Sequence, residues 1–158
     1  MLIILIVILL NLNSLSSNIP TYNISKPIDY NYLEIKKINL KQPFYEINDK
    51  NNTIEKNIEI LKESIMPDKD NSIVIIAAHS GEGEIAYFNN LTELTINDEL
   101  LLSYNNKIYK YHIKEIYEEE KNGYINVDKE KEDQLILTTC HPNKPNKQLV
   151  INAIKKEL

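Results

Sequence analysis

Two side chains in this sequence have the chemistry for acyl transfer: Cys140, the sole cysteine, and His79. A free thiol titrates near ~8.5, so only a small fraction is thiolate at neutral pH. A neighbouring imidazole raises that fraction and returns a proton to a leaving amine. Each residue closes an apolar run. His79 follows Ile73-Val74-Ile75-Ile76-Ala77-Ala78, and Cys140 follows Leu135-Ile136-Leu137-Thr138-Thr139 before Pro142 and Asn143 break the pattern. Buried strands ending in reactive groups are how a rigid scaffold aims them. Were the two strands parallel neighbours, both groups would emerge at one end. The same pattern also fits a core cysteine and an unrelated surface histidine, since buried free cysteine is common.

The other candidates are weaker. His141 follows Cys140 directly, so in a strand it faces the opposite side and reads as a loop residue. His112, within Tyr109-Lys110-Tyr111-His112-Ile113, reads as an outer-face residue. His79, Cys140 and His141 have metal-ligand types, but no carboxylate or second cysteine is placed with them, so no metal or other cofactor is expected. Glu118-Glu119-Glu120 reads as a solvated charge run in a loop, with Ca²⁺ binding as the alternative.

The 158 residues suffice for one domain with its own core. Hydrophobic residues make up 42% and charged residues 26%, an ordinary globular balance. A net charge of −5 argues against a nucleic-acid groove, and the ten tyrosines have no basic stripe to stack beside. One cysteine excludes an internal disulfide and a paired-cysteine zinc site. All 18 basic residues are lysine, so no guanidinium fork is available anywhere.

The apolar run Met1 to Leu10 is short for a bilayer span, which needs ~20 residues. Extended through Leu12 and Leu15, residues 1–15 read as a signal or membrane anchor, with a buried N-terminal strand as the alternative. Residues 16–31, with Pro20 and Pro27, read as a linker, and 32–158 as the folded domain. Within it, Leu33 to Leu40 reads as a strand. Asn52-Thr53-Ile54-Glu55 looks like a helix cap, and Ile54, Ile58, Leu61 and Ile65 recur at helical spacing up to Pro67, which predicts one amphipathic helix. Ser72 to Ala78 reads as a central strand, and Phe88, Leu91 and Leu94 as a short helical segment. Strands follow at Glu99 to Tyr104, Lys107 to Tyr117, Leu135 to Cys140 and Leu149 to Ile154, and Asn105-Asn106 is a hairpin signal. Strands dominate, with turns every ~10 residues, which predicts a mainly β sandwich or barrel.

Several segments together resemble the sortases, cysteine transpeptidases of Gram-positive cell surfaces. Ile136-Leu137-Thr138-Thr139-Cys140 resembles their Thr-Leu-x-Thr-Cys signature, with Ile136 for the first Thr. Ala77-Ala78-His79-Ser80 resembles the segment carrying their catalytic histidine, with Ala78 where Gly is usual. Leu33 to Leu40 is similar to their opening strand. Phe88-x-x-Leu91-x-x-Leu94 before Asn97-Asp98 is similar to a further family segment. The order matches from Leu33 to Ile154.

The resemblance implies a closed eight-stranded β-barrel with one or two short helices. It implies Cys140 as nucleophile, His79 as general acid/base, and Thr139, Ala78 and Ser80 beside the substrate. The expected substrates are surface proteins with Leu-Pro-x-Thr-Gly-type C-terminal sorting signals, and the acceptor is a cell-wall precursor or another amine. The expected location is the outer face of the cell membrane of a Gram-positive-type bacterium. The family's third residue is an arginine just before a Leu-Val-Val-like run. That run is Leu149-Val150-Ile151 here, which puts Gln148 at the arginine position and Lys147 beside it. Gln148 donates two N–H bonds without charge, and Lys147 has charge without a fork. The alternatives are a degenerate module that binds peptide without chemistry and a hydrolase resolved by water. The short connection before the Cys140 strand, the absence of a lid motif in the linker, and the lack of a hydrophobic tail after Leu158 suggest a minimal single-domain type.

Overall fold

The computed structural model describes residues 30–127 and 132–156. The predicted anchor and nearly all of the linker lie outside the described residues. The described chain is mainly β: β1 (Tyr32–Ile35), β2 (Leu40–Pro43), β3 (Glu59–Ile60), β4 (Ile73–Ala77), β5 (Glu99–Tyr104), β6 (Lys107–Glu120), β7 (Gln134–Cys140) and β8 (Lys147–Lys155). They form one curled sheet in the order β2-β1-β5-β6-β8-β7-β4-β3. Every neighbouring pair is antiparallel except β4 and β7, which run parallel.

The two faces differ in how much they bury. Leu33, Ile35, Val74, Ile76, Leu100, Leu102, Leu135, Leu137, Ile151 and Ala153 fill the main core. Side chains alternate along a strand, so the intervening positions Ile73, Ile75, Ile136 and Val150 form a second, smaller cluster on the other face. Leu61, Tyr117, Ile125 and Val127 pack against that cluster. β4 and β7 are therefore buried on both sides, which explains their continuous apolar runs.

Four sequence expectations need correction. The closed barrel is an open curled sheet: β2 and β3 stand at its two ends and do not pair with each other. β3 has only two residues, too few to carry a closing ladder. The predicted helix from Ile54 to Ile65 is also absent. Asn52, expected as its cap, instead pairs with backbone like a strand: its Nδ2 donates to the Ile60 carbonyl at 2.9 Å and its Oδ1 accepts the Ile60 N–H at 2.8 Å. Ile58 and Ile60 enter the core with the period of a strand, while Leu61 and Ile65 bond back to β4 through Ile75 and Ile73. Among the described residues, short 3-10 helices occur at Lys36–Ile38 and Leu91–Glu93. The first of these splits the strand expected from Leu33 to Leu40 into β1 and β2, with Asn39 in the left-handed region at φ 52°. Finally, Glu118-Glu119-Glu120 is the end of β6, not a loop.

The hairpin signal at Asn105-Asn106 holds, with φ 50° and 61° joining β5 to β6. Asparagine tolerates this region because its short polar side chain bonds locally.

Away from the reactive residues, Asp133 ties three strand ends together. One oxygen accepts the Ser72 N–H before β4 at 2.7 Å, and the other accepts Lys155 Nζ on β8 at 2.7 Å. Burial opposes its ionisation, but Lys155 and the Ser72 N–H outweigh burial and hold the carboxyl below its ordinary value. A carboxyl depressed in the folded state stabilises above its unfolded pKa and loses that contribution as pH falls through the folded one. Asp133→Asn is therefore expected to destabilise the domain at neutral pH and to flatten the loss of stability below about pH 4. Denaturant midpoints of both proteins across the acid range check this.

Candidate active site

The parallel register of β4 and β7 settles where the two reactive residues go. Ile75 pairs with Ile136 and Ala77 with Thr138. The pairing continues past β4, where the Ala78 N–H donates to the Thr138 carbonyl at 3.3 Å. Two side-chain hydroxyls extend it further. Thr139 Oγ1 donates to the Ala78 carbonyl at 2.8 Å, and Ser80 Oγ donates to the Cys140 carbonyl at 2.6 Å. His79 is thus held between two residues fastened to the cysteine strand. Its own carbonyl accepts the Phe88 N–H at 3.0 Å. The turn after it is closed by Asn89, which accepts the Gly81 N–H and donates to the Gly81 carbonyl.

Strand alternation then gives the facing. Cys140 lies four residues after Ile136 on β7, so it continues the face of the smaller apolar cluster, and His79 follows the end of β4 by two residues beside it. On β8, Gln148 is the direct partner of Cys140, and on β6, Glu119 is the partner of Gln148. Opposed residues in a ladder share a face. A row therefore crosses the end of the sheet: Glu119, Gln148, Cys140 and the position of His79. Cys140 is half-buried and carries no disulfide.

Gln148 is already engaged. Its Nε2 donates to the Tyr124 carbonyl at 2.6 Å and approaches Glu119 Oε2 at 3.4 Å. Glu119 accepts from the Asn126 side-chain amide at 2.9 Å, and Tyr117 Oη donates to the Asn126 carbonyl at 3.1 Å. Burial, then Glu119 and Glu115, push the Tyr117 hydroxyl up to about 12, so it stays a donor. Three side chains on β6 and β8 thereby clasp the loop after β6, and Ile125 and Val127 of that loop pack on the apolar cluster. This clasp was not visible in the sequence, because its acceptors are backbone carbonyls of a polar loop. Lys147 falls on the alternate face and pairs with Glu120.

Two carboxylates contact the histidines at this end of the sheet, and the first, Glu55, was not singled out in the sequence. Glu55 Oε1 lies 4.0 Å from His79 Nε2, with the imidazole 37% and the carboxylate 76% exposed. Glu118 lies 3.1 Å from His141 Nε2. His141 Nδ1 accepts the Asn143 N–H at 3.1 Å, so the proton of its neutral ring sits on Nε2 and faces Glu118. Lys144 also donates to Glu118, and this bond, assisted by the lysine charge, holds the Glu118 carboxyl below its ordinary value. His141 thus fastens the β7–β8 turn to β6 and faces away from the Cys140 row. His112 sits on β6 with Nδ1 3.2 Å from the Asn97 carbonyl. Among the described residues, no three His, Cys, Asp or Glu side chains gather as a metal site.

An open curled β-sheet thus carries one thiol at the end of β7 and one imidazole just past the end of its parallel neighbour β4. The chain belongs to the sortase family: the Sortase domain model matches residues 33–156. Sortase A from Corynebacterium diphtheriae (lid mutant) is 22% identical, with a TM-score of 0.68 over 82% of this chain and 70% of that one. Sortase C1 from Streptococcus agalactiae is 24% identical, with a TM-score of 0.67 over 80% and 67%. Sortase C-1 from Actinomyces oris is 21% identical, with a TM-score of 0.67 over 81% and 74%. A comparison with curated protein sequences found no match. These similarities establish the shared fold.

The hydroxyl staples generate a prediction. Ser80→Ala leaves the Cys140 carbonyl without its donor, at a cost of about 1 kcal/mol in stability. It is also expected to lower any thiol reactivity that depends on His79, which thiol-alkylation rates against pH would report.

Proposed function

We propose that this chain is a cysteine transpeptidase that cleaves a Leu-Pro-x-Thr-Gly-type sorting signal and transfers it to an amine. The observation that carries this reading is the parallel pairing of β4 and β7, which brings Cys140 and the residue two past the end of β4, His79, to the same end of the sheet. The Cys140 thiolate attacks the threonine carbonyl, and the carbonyl oxygen takes the negative charge. Collapse of that intermediate breaks the amide bond, and His79 gives its proton to the departing amine. The acyl group stays on sulfur as a thioester. An acceptor amine then attacks the thioester, gives its proton to His79 and leaves the thiol free. The acceptor in this reading is a cell-wall precursor or a protein amine. Residues 1–15 anchor the chain, and the domain faces outward from the cell membrane. The substrates are surface proteins with C-terminal sorting signals. No cofactor takes part.

The oxyanion lacks the arginine that the family places on the strand after the cysteine. Losing such a donor commonly lowers rates by ~10²–10³. Gln148 is the direct strand partner of Cys140 and is the neutral donor at hand. To serve, its amide must exchange the Tyr124 carbonyl for substrate oxygen. That engagement favours a second reading, a sortase-fold module that binds peptide without turnover. Lys147 remains the other nitrogen beside the position, held by Glu120.

Incubation with a library of sorting-signal peptides and a nucleophilic amine separates the readings. The transpeptidase yields an acyl mass on Cys140, an amine-coupled product, and no activity in Cys140→Ala. Binding that persists in Cys140→Ala with no acyl mass would establish the binding module instead. Gln148→Ala distinguishes the two uses of the amide. A fall in kcat of at least about tenfold marks an oxyanion donor, whereas a raised KM with kcat retained marks the loop clasp alone.

A further inference from the structure

We propose that the pole of the sheet opposite Cys140 docks on an anionic phospholipid surface. A cleft of about 360 Å³ there is lined by Lys107, Ile108, Tyr109, Lys110, Lys155 and Lys156. Four lysines converge on one cleft in a chain of net charge −5. Lys155 is neutralised by Asp133 and lies over the Tyr109 ring at 5.3 Å. Among the described residues, no carboxylate lies within ion-pair distance of Lys107, Lys110 or Lys156, and all three are exposed. Of the acids near this pole, Glu46 accepts from Asn31 and Tyr104, Asp68 lies 3.7 Å from Lys69, and Asp70 and Glu132 are exposed.

Charge alone fits any polyanion, but two further features favour a membrane. Ile108 is 55% exposed in the middle of the lysines, the pairing of apolar and basic groups that suits the headgroup boundary. The chain also enters the domain here. Asn31 Oδ1 accepts the Asn105 N–H at the tip of the β5–β6 hairpin, and Tyr30, 48% exposed, precedes it. The segment arriving at Tyr30 begins with the apolar run Met1 to Leu10. Lysines close to a membrane-directed segment act as the second attachment signal that a single apolar element needs. From Gln148 to Lys156 along β8 the sheet spans roughly 25 Å. Docked through this pole, the Cys140 row points away from the lipid. This docking is independent of any reactivity at Cys140.

The test uses the full chain in phosphatidylcholine vesicles with and without about 30% phosphatidylglycerol, mapping amine-reagent labelling of each lysine by mass spectrometry. Lys107, Lys110 and Lys156 are expected to label at least about threefold more slowly on the anionic vesicles, and to recover in ~0.5 M salt, while Lys62 and Lys144 do not change. The triple variant Lys107→Glu, Lys110→Glu, Lys156→Glu, with an unchanged thermal midpoint, should lose the extra recruitment that phosphatidylglycerol gives. Equal labelling on both vesicles, a uniform slowing of all lysines, or protection by soluble polyphosphate but not by anionic vesicles would overturn the proposal.

Discussion

The parallel contact between β4 and β7 is the constraint on which the rest of the structure depends. Parallel strands need a long crossover, and the chain spends residues 78–133 making one, with β5 and β6 built inside it. The return sets both strands to end together. Backbone pairing would stop at Ala77, but an N–H and two hydroxyls carry the connection onward to Cys140. Each is a modest contribution alone, of order 1 kcal/mol. Their position matters more than their sum, because they fix the backbone on both sides of the imidazole residue.

The missing arginine changes the electrostatics of this end. Its place on β8 is taken by an amide that holds a loop by its backbone, and the carboxylate of Glu119 stands next in the row. The neighbouring acids are matched by lysines: Glu118 with Lys144 and Glu120 with Lys147. Glu119 instead accepts from the loop it holds. The row thus contains an acid, an amide and a thiol, with an imidazole opposite Glu55. A developing oxyanion here meets neutral donors and an acidic neighbourhood, so any turnover rests on geometry more than on charge.

Much of this was legible in the sequence, for physical reasons. β4 and β7 are apolar without interruption because both faces are buried, and such runs are hard to miss. The hairpin was readable because two asparagines at its tip tolerate positive φ. The segment from Ile54 to Ile65 misled because isoleucines at helical spacing were serving two different partners. Ile58 and Ile60 fill the core, while Leu61 and Ile65 pair with β4. A periodicity cannot distinguish one helix face from two extended pieces that turn between them. The facing of Gln148 followed from strand alternation once the register was known, but its hold on Tyr124 did not. That bond joins a side chain to a loop carbonyl, which has no residue signature.

The open seam has a consequence for how the molecule loosens. A closed ring resists until several ladders fail together, whereas a sheet with two ends can fray from either one. At one end, β2 ends in Pro43, which has no N–H to offer a foreign strand. At the other, β3 is a two-residue strip whose preceding turn presents Glu55 to His79. Local opening there costs far less than unfolding the core. The carboxylate beside the imidazole therefore stands at a margin of the sheet, while the thiol rides on a strand paired on both sides.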